Sequence, residues 1–439
     1  MVLFSIPLFL GNILQTSYEF IDSLWVGNLL GAEALAAIAV AGPVIFTVLS
    51  FIIGINGATL TVLSQRKGAG DQEGLKESLN AFVVVLGSLS IVLGIAGFVF
   101  AGPLLTLLGT PSSVFPLALT YLKINFIGIP FLFGYNFIGT VLRALGDSKT
   151  PMRFIGLAVI LNAVLDPLFI YVFNLGITGA AIATLVSQGI AFAYGLIYSL
   201  KKAGVPYVLP HRPQWRYLKA LIKLGIPSGL QMMVISGGNL AIIGVVAHFG
   251  DYVLAGYGAA QRIGNLIMIA PMTLGSAVTS MAGQNIGAVK WDRVSQVVKS
   301  GMTLILIVSS VISTFVFFTS DMLIHWFVDD AATIAFGSSF LAIVAYSYLF
   351  LGVNFVLNGA IRASGAMLQV LVLNFISFWV LRFPLVYLMS DWYGETGIGL
   401  GIGASFVISS VIATLYYHFG KWRDIKIFDE ESSSESEAE

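Results

Sequence analysis

The sequence has no cysteine and very little charge. Without cysteine, disulfides, thiolate nucleophiles and cysteine-based metal sites are excluded, and the redox compartment stays open. Only 10% of the 439 residues are charged, whereas soluble domains carry about 25%. The net charge is zero, so no nucleic-acid partner is implied. Because 57% of the residues are hydrophobic, the composition indicates a membrane protein with several spans.

Motifs of membrane-embedded enzymes are also missing. Neither His-Glu-x-x-His nor Gly-x-Ser-x-Gly occurs. The word GAGD at 68–71 matches the Gly-x-Gly-Asp of membrane aspartyl proteases, but Asp71 lies in a basic loop beside Arg66 and Lys67. We therefore interpret this match as coincidence. We predict a transporter rather than an enzyme, with no metal site and no cofactor.

Apolar runs long enough to span a bilayer recur along the whole chain. A spanning helix needs about 20 apolar residues, and the sequence offers twelve such runs: 4–27, 35–63, 78–106, 115–142, 152–174, 178–200, 221–248, 253–282, 298–320, 333–361, 367–390 and 397–420. We predict an all-α polytopic membrane protein with twelve transmembrane helices in two six-helix lobes. The predicted parts are an N-lobe (1–200), a cytoplasmic linker (201–220), a C-lobe (221–420) and an acidic, disordered cytoplasmic tail (421–439).

Lysine and arginine are confined to alternate connections. Of these 22 residues, 19 lie in the even-numbered connections, in the first three residues of the spans that follow them, or in the tail, and the odd-numbered connections have none. Since cationic residues favour the cytoplasmic side, we predict cytoplasmic termini. We expect a multi-pass protein of the plasma (inner) membrane.

The two halves of the sequence repeat. "LGAEALAAIAVA" at 30 resembles "FGDYVLAGYGAA" at 249, and "VLRALG" at 141 resembles "AIRASG" at 360. Because each copy contains an even number of helices, both copies have the same orientation, related by a pseudo-twofold axis along the membrane normal. Secondary transporters use such repeats.

Six charged residues remain in the interior of the predicted spans, away from the first three residues of each span. Each is costly in lipid and is a functional candidate. They are Glu19, Asp22, Lys123, Asp166, Arg262 and Arg382. All the acids belong to the first half. The roles of the three cations stay open: one suggestion is that Lys123 pairs with an acid, and Arg382 either snorkels to the outer surface or faces the cavity.

Helical spacing and depth predict where the acids lie. Gln15, Glu19 and Asp22 share one face of the first helix. Asn162 and Asp166 are one turn apart in the fifth helix, where Pro167 removes a backbone donor and predicts a bend. Depth along the helices places polar groups of four helices in the outer half of the first lobe. The predicted proton- and substrate-binding residues are Asp22, Asp166, Asn162, Thr184, Tyr18, Tyr121, Glu19 and Gln15.

Such a pocket can couple two solutes. Apolar surroundings and a second carboxylate both penalise the ionised form of a carboxyl group. A carboxyl group in this position can take up a proton from outside or bind an organic cation when ionised, and that competition suffices for antiport. The alternative is that these acids only anchor helices through hydrogen bonds.

The chain resembles the multidrug and toxic compound extrusion (MATE) family. The resemblance lies in "LGAEALAAIAVAGPV" at 30–44, "LRALGDSKTPM" at 142–152, "LNAVLDPLFIY" at 161–171 and "GITGAAIATLVSQ" at 176–188. It implies drug efflux driven by H+ or Na+. In the DinF-like branch the first-helix aspartate, here Asp22, is the proposed proton and substrate group. The NorM-like branch carries acids in the seventh and tenth helices, where this sequence has none.

We therefore expect a secondary active antiporter that exports amphipathic, mostly cationic drugs or toxins in exchange for H+ by alternating access. A Na+-coupled drug antiporter of the same fold and a lipid-linked-sugar flippase of related architecture remain alternatives. The expected partners are small molecules and membrane lipids, with no nucleic acid, and the expected state is a monomer.

Overall fold

The structure, a computed structural model, describes residues 1–428 except for the side chain of Glu19. All regular elements in this part are helical. The α-helices are α1 (Val2–Leu30), α2 (Ala32–Ala69), α3 (Gln72–Leu107), α4 (Phe115–Ala144), α5 (Lys149–Pro167), α6 (Ile177–Lys201), α7 (Trp215–Ala247), α8 (Asp251–Gly287), α9 (Trp291–His325), α10 (Ala331–Ala345), α11 (Ser347–Ala363), α12 (Met367–Phe375), α13 (Phe383–Tyr393) and α14 (Thr396–Phe419).

These helices account for the twelve predicted spans. Ten helical segments of the described chain are long and apolar enough to cross a membrane, and the bent pair α10–α11 provides an eleventh. Helix α1 has 29 residues, which is long enough for the twelfth span, although its polar stripe lowers its hydropathy. The chain is therefore a multi-pass membrane protein, and the predicted all-α fold is confirmed.

Three spans are irregular. After Pro167, α5 continues as a π-helical segment, Leu168–Val172, so the expected irregularity at this proline takes the form of a widened turn. A second π-helical segment, Ile376–Arg382, joins α12 to α13. The prediction of one continuous helix over 333–361 is wrong, because the chain breaks at Tyr346 and the two parts differ in direction by 51°. Apolar content alone carries no signal for such a break.

Capping residues fix the helix ends at the loops. Gly70 ends α2 in the left-handed region (φ 69°), which glycine adopts without steric cost. Asp71 then caps α3 by accepting a hydrogen bond from the Gly74 amide at 2.7 Å, and it also pairs with Arg66. The GAGD word thus forms a turn between two helices, which agrees with the interpretation that its match to the protease motif is a coincidence.

The described chain divides into two compact units near its middle. The first unit is residues 2–222, and the second is residues 223–428 together with Met1. The segment 201–220, predicted as a linker, packs on the first unit. Val205 is buried, and the backbone N–H and carbonyl of His211 form two hydrogen bonds of 3.1 Å with the side-chain amide of Asn80. Helix α7 already begins at Trp215.

The predicted tail begins later than expected. Lys421–Asp424 form a 3-10 helix, and the Trp422 ring is fully buried against Tyr417, whose carbonyl accepts its indole N–H at 2.7 Å. The disorder prediction is therefore wrong for residues 421–428, since one large aromatic side chain anchors this segment. The remainder of the predicted tail, 429–439, lies outside the described residues.

In the first unit, the packing brings four helices to one place. Helix α4 contacts α2, α3 and α6, α5 lies between α1 and α6, and α1 also touches α6. Glycines permit the close approach, as at Gly134, where an added Cβ would lie 2.5 Å from the Phe192 ring of α6. Side chains from α1, α4, α5 and α6 can therefore meet in one buried site.

Candidate binding site in the first unit

Asp22 lies in the interior of the first unit. Only 6% of its surface is exposed. The Tyr121 hydroxyl of α4 donates a hydrogen bond to Asp22 Oδ2 at 3.1 Å. Since Tyr121 is itself buried, this contact holds the α1 carboxyl group away from the lipid-facing surface of the helix.

Asp166 lies at the end of α5 and is completely buried. Asn162, one turn earlier, donates a hydrogen bond from Nδ2 to Asp166 Oδ1 at 3.0 Å, and the same nitrogen lies 3.5 Å from Thr184 Oγ1 of α6. This small network joins α5 to α6 through side chains alone. Its position next to Pro167 and the following π-helical segment places it where the regular helix ends.

Tyr18 connects α1 to the same part of α6. Its hydroxyl is 2.8 Å from Ser187 Oγ and 3.4 Å from the Thr184 carbonyl oxygen. Tyr18 precedes Asp22 by one helical turn, so both side chains leave the same face of α1. Six of the sequence-predicted residues, Asp22, Asp166, Asn162, Thr184, Tyr18 and Tyr121, are therefore buried where α1, α4, α5 and α6 meet.

The other two predicted residues stand apart. Gln15 is partly buried, and its Oε1 accepts a hydrogen bond from the Tyr135 hydroxyl of α4 at 3.0 Å, about two turns along α1 from Asp22. Gln15 thus marks one end of a polar strip along the α1–α4 contact. The side chain of Glu19 lies outside the described residues.

The site is acidic. Asp22 and Asp166 are close enough for their charges to interact, and Asp166 forms no ion pair within the described part of the chain. Asp166 Oδ2 and Asn162 Oδ1 are both buried acceptors without a hydrogen-bond donor among the described residues. A buried acceptor without a donor is costly, so this site can gain free energy by taking up a proton or a small cation.

The acidic site differs in its ligands from a transition-metal site, which is the kind of metal site that we predicted to be absent. No group of three or more His, Cys, Asp or Glu side chains suitable for a metal ion occurs within residues 1–428 as described. Oxygen atoms of Asp166, Asn162 and Thr184 are nevertheless the hard ligands that alkali and alkaline-earth cations favour. The donor set therefore suits H+ or a hard monovalent ion rather than a transition metal.

The three intramembrane cations lie elsewhere. Lys123 Nζ lies 5.1 Å from the Phe98 ring centroid and contacts no acid within the described residues, so the suggested pairing with an acid is not observed. Arg262 is exposed and lies 5.7 Å from the Phe327 ring. Arg382 does not snorkel to the surface but is buried in the second unit.

Two residues that form hydrogen bonds with side chains of α1 were not predicted from the sequence. Ser187 is fully buried and accepts or donates the Tyr18 hydrogen bond. It follows Thr184 by about one turn, so its position on the same helix face was a usable signal. Tyr135 follows Tyr121 by 14 residues, which is about four turns of helix and again the same face.

A polytopic helical fold with ionisable groups buried inside its spans defines a class of membrane transporters, because such groups mark ion and substrate pathways. The family model MatE matches residues 7–168 and 227–388, and the chain belongs to this family. The matched ranges are the two halves of the sequence repeat. The chain is therefore a transporter and not an enzyme.

Relatives and solved structures agree with this assignment. The chain is 56% identical to "Probable multidrug resistance protein YpnP" of Bacillus subtilis (strain 168), over 98% of this chain and 97% of that protein. It is 31% identical to "Probable multidrug resistance protein YoeA" of the same strain, over 95% and 93%. A crystal structure of the MATE transporter VcmN of Vibrio cholerae is similar in fold, with a TM-score of 0.89, 24% identity and 97% of each chain covered.

These comparisons establish a family of small-molecule transporters associated with multidrug resistance. The resemblance drawn from the sequence words is confirmed at the level of the family. Members of this family use no cofactor, as expected from the sequence. The coupling ion and the roles of the individual residues depend on the chemistry of the buried site.

Proposed function

We propose that this chain exports amphipathic, mostly cationic drugs in exchange for H+, as a member of the DinF-like branch. Asp22 is the carboxyl group that binds either the proton or the cationic substrate. The observation that carries the proposal is the buried contact between Asp22 and Tyr121, next to a second carboxyl group and within a transporter fold. Asp166, Asn162, Thr184 and Tyr18 hold this site together.

The energetics suit antiport. Two neighbouring carboxyl groups in an apolar site favour a state in which at least one is protonated, and a bound organic cation replaces that proton. Each unit of pH difference supplies about 1.4 kcal/mol per proton. A membrane potential adds about 2.3 kcal/mol per 100 mV for each net charge moved. A carboxyl group that alternates between these two ligands is enough to couple proton entry to drug exit.

The distribution of lysine and arginine supports an orientation with both termini cytoplasmic. In a bacterial cell, the relevant bilayer is then the plasma (inner) membrane, with protons entering from outside. We propose that a monomer is the transporting species, because one chain contains both copies of the repeat.

Replacement of Asp22 tests the proposal. Asp22→Asn keeps the shape and the hydrogen bond of the side chain but removes its charge. We expect it to abolish accumulation of a cationic dye inside inside-out vesicles, or its transport in reconstituted vesicles, when a pH gradient is applied. Asp321→Asn is the matched control, because this acid is exposed near the end of α9. Full export by Asp22→Asn, with normal expression and folding, would contradict the assigned role.

Sodium coupling is the second candidate. It is favoured by the two unpaired acceptors, Asp166 Oδ2 and Asn162 Oδ1, which could ligate a hard cation. Vesicles with a Na+ gradient and equal pH on both sides distinguish the two ions. We expect no export under these conditions, whereas export equal to that with a pH gradient would assign Na+ as the coupling ion.

A further inference from the structure

The second unit contains one charged residue that its spans do not explain. Arg382 has 6% of its surface exposed and is the only buried charged residue among those described in this unit. It is about 11 residues from the end of α13 and about 15 from the start of α12, roughly 16 and 22 Å along a helix. These distances place the guanidinium group deep within the span, where an unpaired charge is costly.

The guanidinium group lies in a half-built site. Its carbon atom Cζ is 3.8 Å from the ring centroid of Phe378 and 4.6 Å from that of Phe406. Its Nε donates a hydrogen bond to Ser405 Oγ at 3.3 Å. Cation–π contacts stabilise the flat faces of the group, but they do not use the N–H donors at its edge.

One donor atom of the guanidinium group, Nη2, lacks an acceptor among the described residues. Nη2 is buried without a hydrogen-bond partner, and Arg382 forms no ion pair with any described residue. Arginine presents five N–H donors in a planar fork, and that fork fits a carboxylate or phosphate through two parallel hydrogen bonds. An oxyanion is therefore the group that would complete this environment.

The sequence repeat aligns this arginine with a predicted site residue of the first unit. With Phe383 as a one-residue insertion, "VLDPL" at 164–168 aligns with "VLRFPL" at 380–385, and "GITGAAIATLV" at 176–186 aligns with "GIGLGIGASFV" at 397–407. In this alignment Asp166 corresponds to Arg382, and Thr184 corresponds to Ser405. Arg382 is the last residue of one π-helical segment, and Asp166 lies two residues before the other. The duplicated scaffold thus holds an acid in one copy and a base in the other.

We propose that Arg382, together with Ser405 and the rings of Phe378 and Phe406, binds the oxyanion of a transported amphipathic molecule. The ligand class is a zwitterion or anion that carries a carboxylate or phosphate beside an aromatic or apolar body. The rings hold that body, and the free edge of the guanidinium group holds the oxyanion. The site lies at a π-helical segment, Ile376–Arg382, and such segments are frequent at functional sites. This inference rests on the drug-export function proposed above and extends its substrates beyond simple cations.

A matched pair of dyes tests the site. Rhodamine B carries a free carboxylate, and its ethyl ester has the same ring system without that anion. Binding to the purified full-length protein in dodecyl maltoside, a phosphate-free detergent, is measured by fluorescence anisotropy with no ion gradient. We expect Arg382→Gln to weaken rhodamine B binding by at least about tenfold, the loss of one charge-assisted contact. Binding of the ester should change less than twofold.

The variants separate recognition from folding. Arg382→Lys keeps the charge, so it should retain part of the preference for rhodamine B. Ser405→Ala should weaken rhodamine B alone, by a few-fold, and it covers the case in which Arg382→Gln does not fold. Equal losses for both dyes would show that Arg382 only packs the helices, and unchanged rhodamine B binding would show that no oxyanion site exists. Either result overturns the proposal.

Two further measurements identify the source of the oxyanion and separate the oxyanion site from the mechanism of export. Added dioleoylphosphatidylglycerol should not compete with rhodamine B, and competition at micromolar lipid would assign the site to lipid headgroups instead. Because the measurement uses no gradient, Asp22→Asn should preserve the difference between the dyes. The oxyanion site can then stand even if the proton-coupled mechanism fails, and the reverse also holds.

Discussion

The hydrogen bond between Tyr121 and Asp22 gives the most direct measure of how the site functions. Tyr121→Phe removes one oxygen atom and leaves the buried ring in place. The contact at 3.1 Å orients the carboxyl group that we propose binds the cationic substrate. A hydrogen bond to a charged group contributes about 1.5–3 kcal/mol. At about 1.4 kcal/mol for each factor of ten, we expect the affinity for a cationic dye to fall by about 10- to 100-fold.

The assay is equilibrium binding of the dye by the purified protein at fixed pH, followed by export from vesicles. At saturating dye, export should recover further in Tyr121→Phe than in Asp22→Asn, because the carboxyl group remains. Tyr194→Phe is the control, since this tyrosine of α6 is exposed and makes the same chemical change. A normal dye affinity in Tyr121→Phe would refute the idea that Asp22 binds the cation as a hydrogen-bonded carboxylate.

Two further predictions concern stability. Gly97→Ala should lower the melting temperature and cost about 1–3 kcal/mol of stability, because the new methyl group would collide with the buried Phe126 ring. The control Gly87→Ala places its methyl group in open space and should be neutral or stabilising. Equal effects of the two changes would contradict the packing of α3 against α4. Asp330→Ala should also lower the melting temperature at neutral pH, because Asp330 accepts hydrogen bonds from the Thr333 amide and hydroxyl at 2.9 and 2.7 Å. Those bonds hold the pKa of Asp330 below its usual value of 3.8. The contribution of Asp330 to stability is therefore complete above pH 3.8 and is lost as the pH falls through the folded-state pKa. If the difference in melting temperature between the variant and the native protein persisted below that pKa, this role of Asp330 as a helix cap would be contradicted.

The sequence predicted the fold well because membrane spans follow from a local quantity. Some 20 apolar residues in succession must form a helix in lipid, since every backbone polar group needs a partner there. This reasoning located the twelve spans, whereas the family was indicated by a resemblance of short sequence words. It failed at Tyr346, where the chain breaks inside an apolar run, and at Trp422, whose burial extends the ordered chain past the predicted boundary.

The candidate site was predicted in part for the same reason. Charges that remain inside spans are visible in any sequence, and helical spacing assigns them to faces. This predicted which polar residues would lie together in the first unit. It did not predict that Thr184 would receive contacts from both Asn162 and Tyr18, or that Ser187 would complete the link to α1.

By itself, the sequence determined where the chain crosses the bilayer, that its two halves repeat, and which charges have no place in lipid. Only the tertiary structure decided which of those charges acquire hydrogen-bond partners, and that Arg382 is buried between two aromatic rings with no ion pair to an acid among the described residues. The physical reason is range. Hydrophobic burial acts residue by residue along a helix, whereas a hydrogen bond between helices depends on the rotation and register of both, which the packing of many side chains sets together.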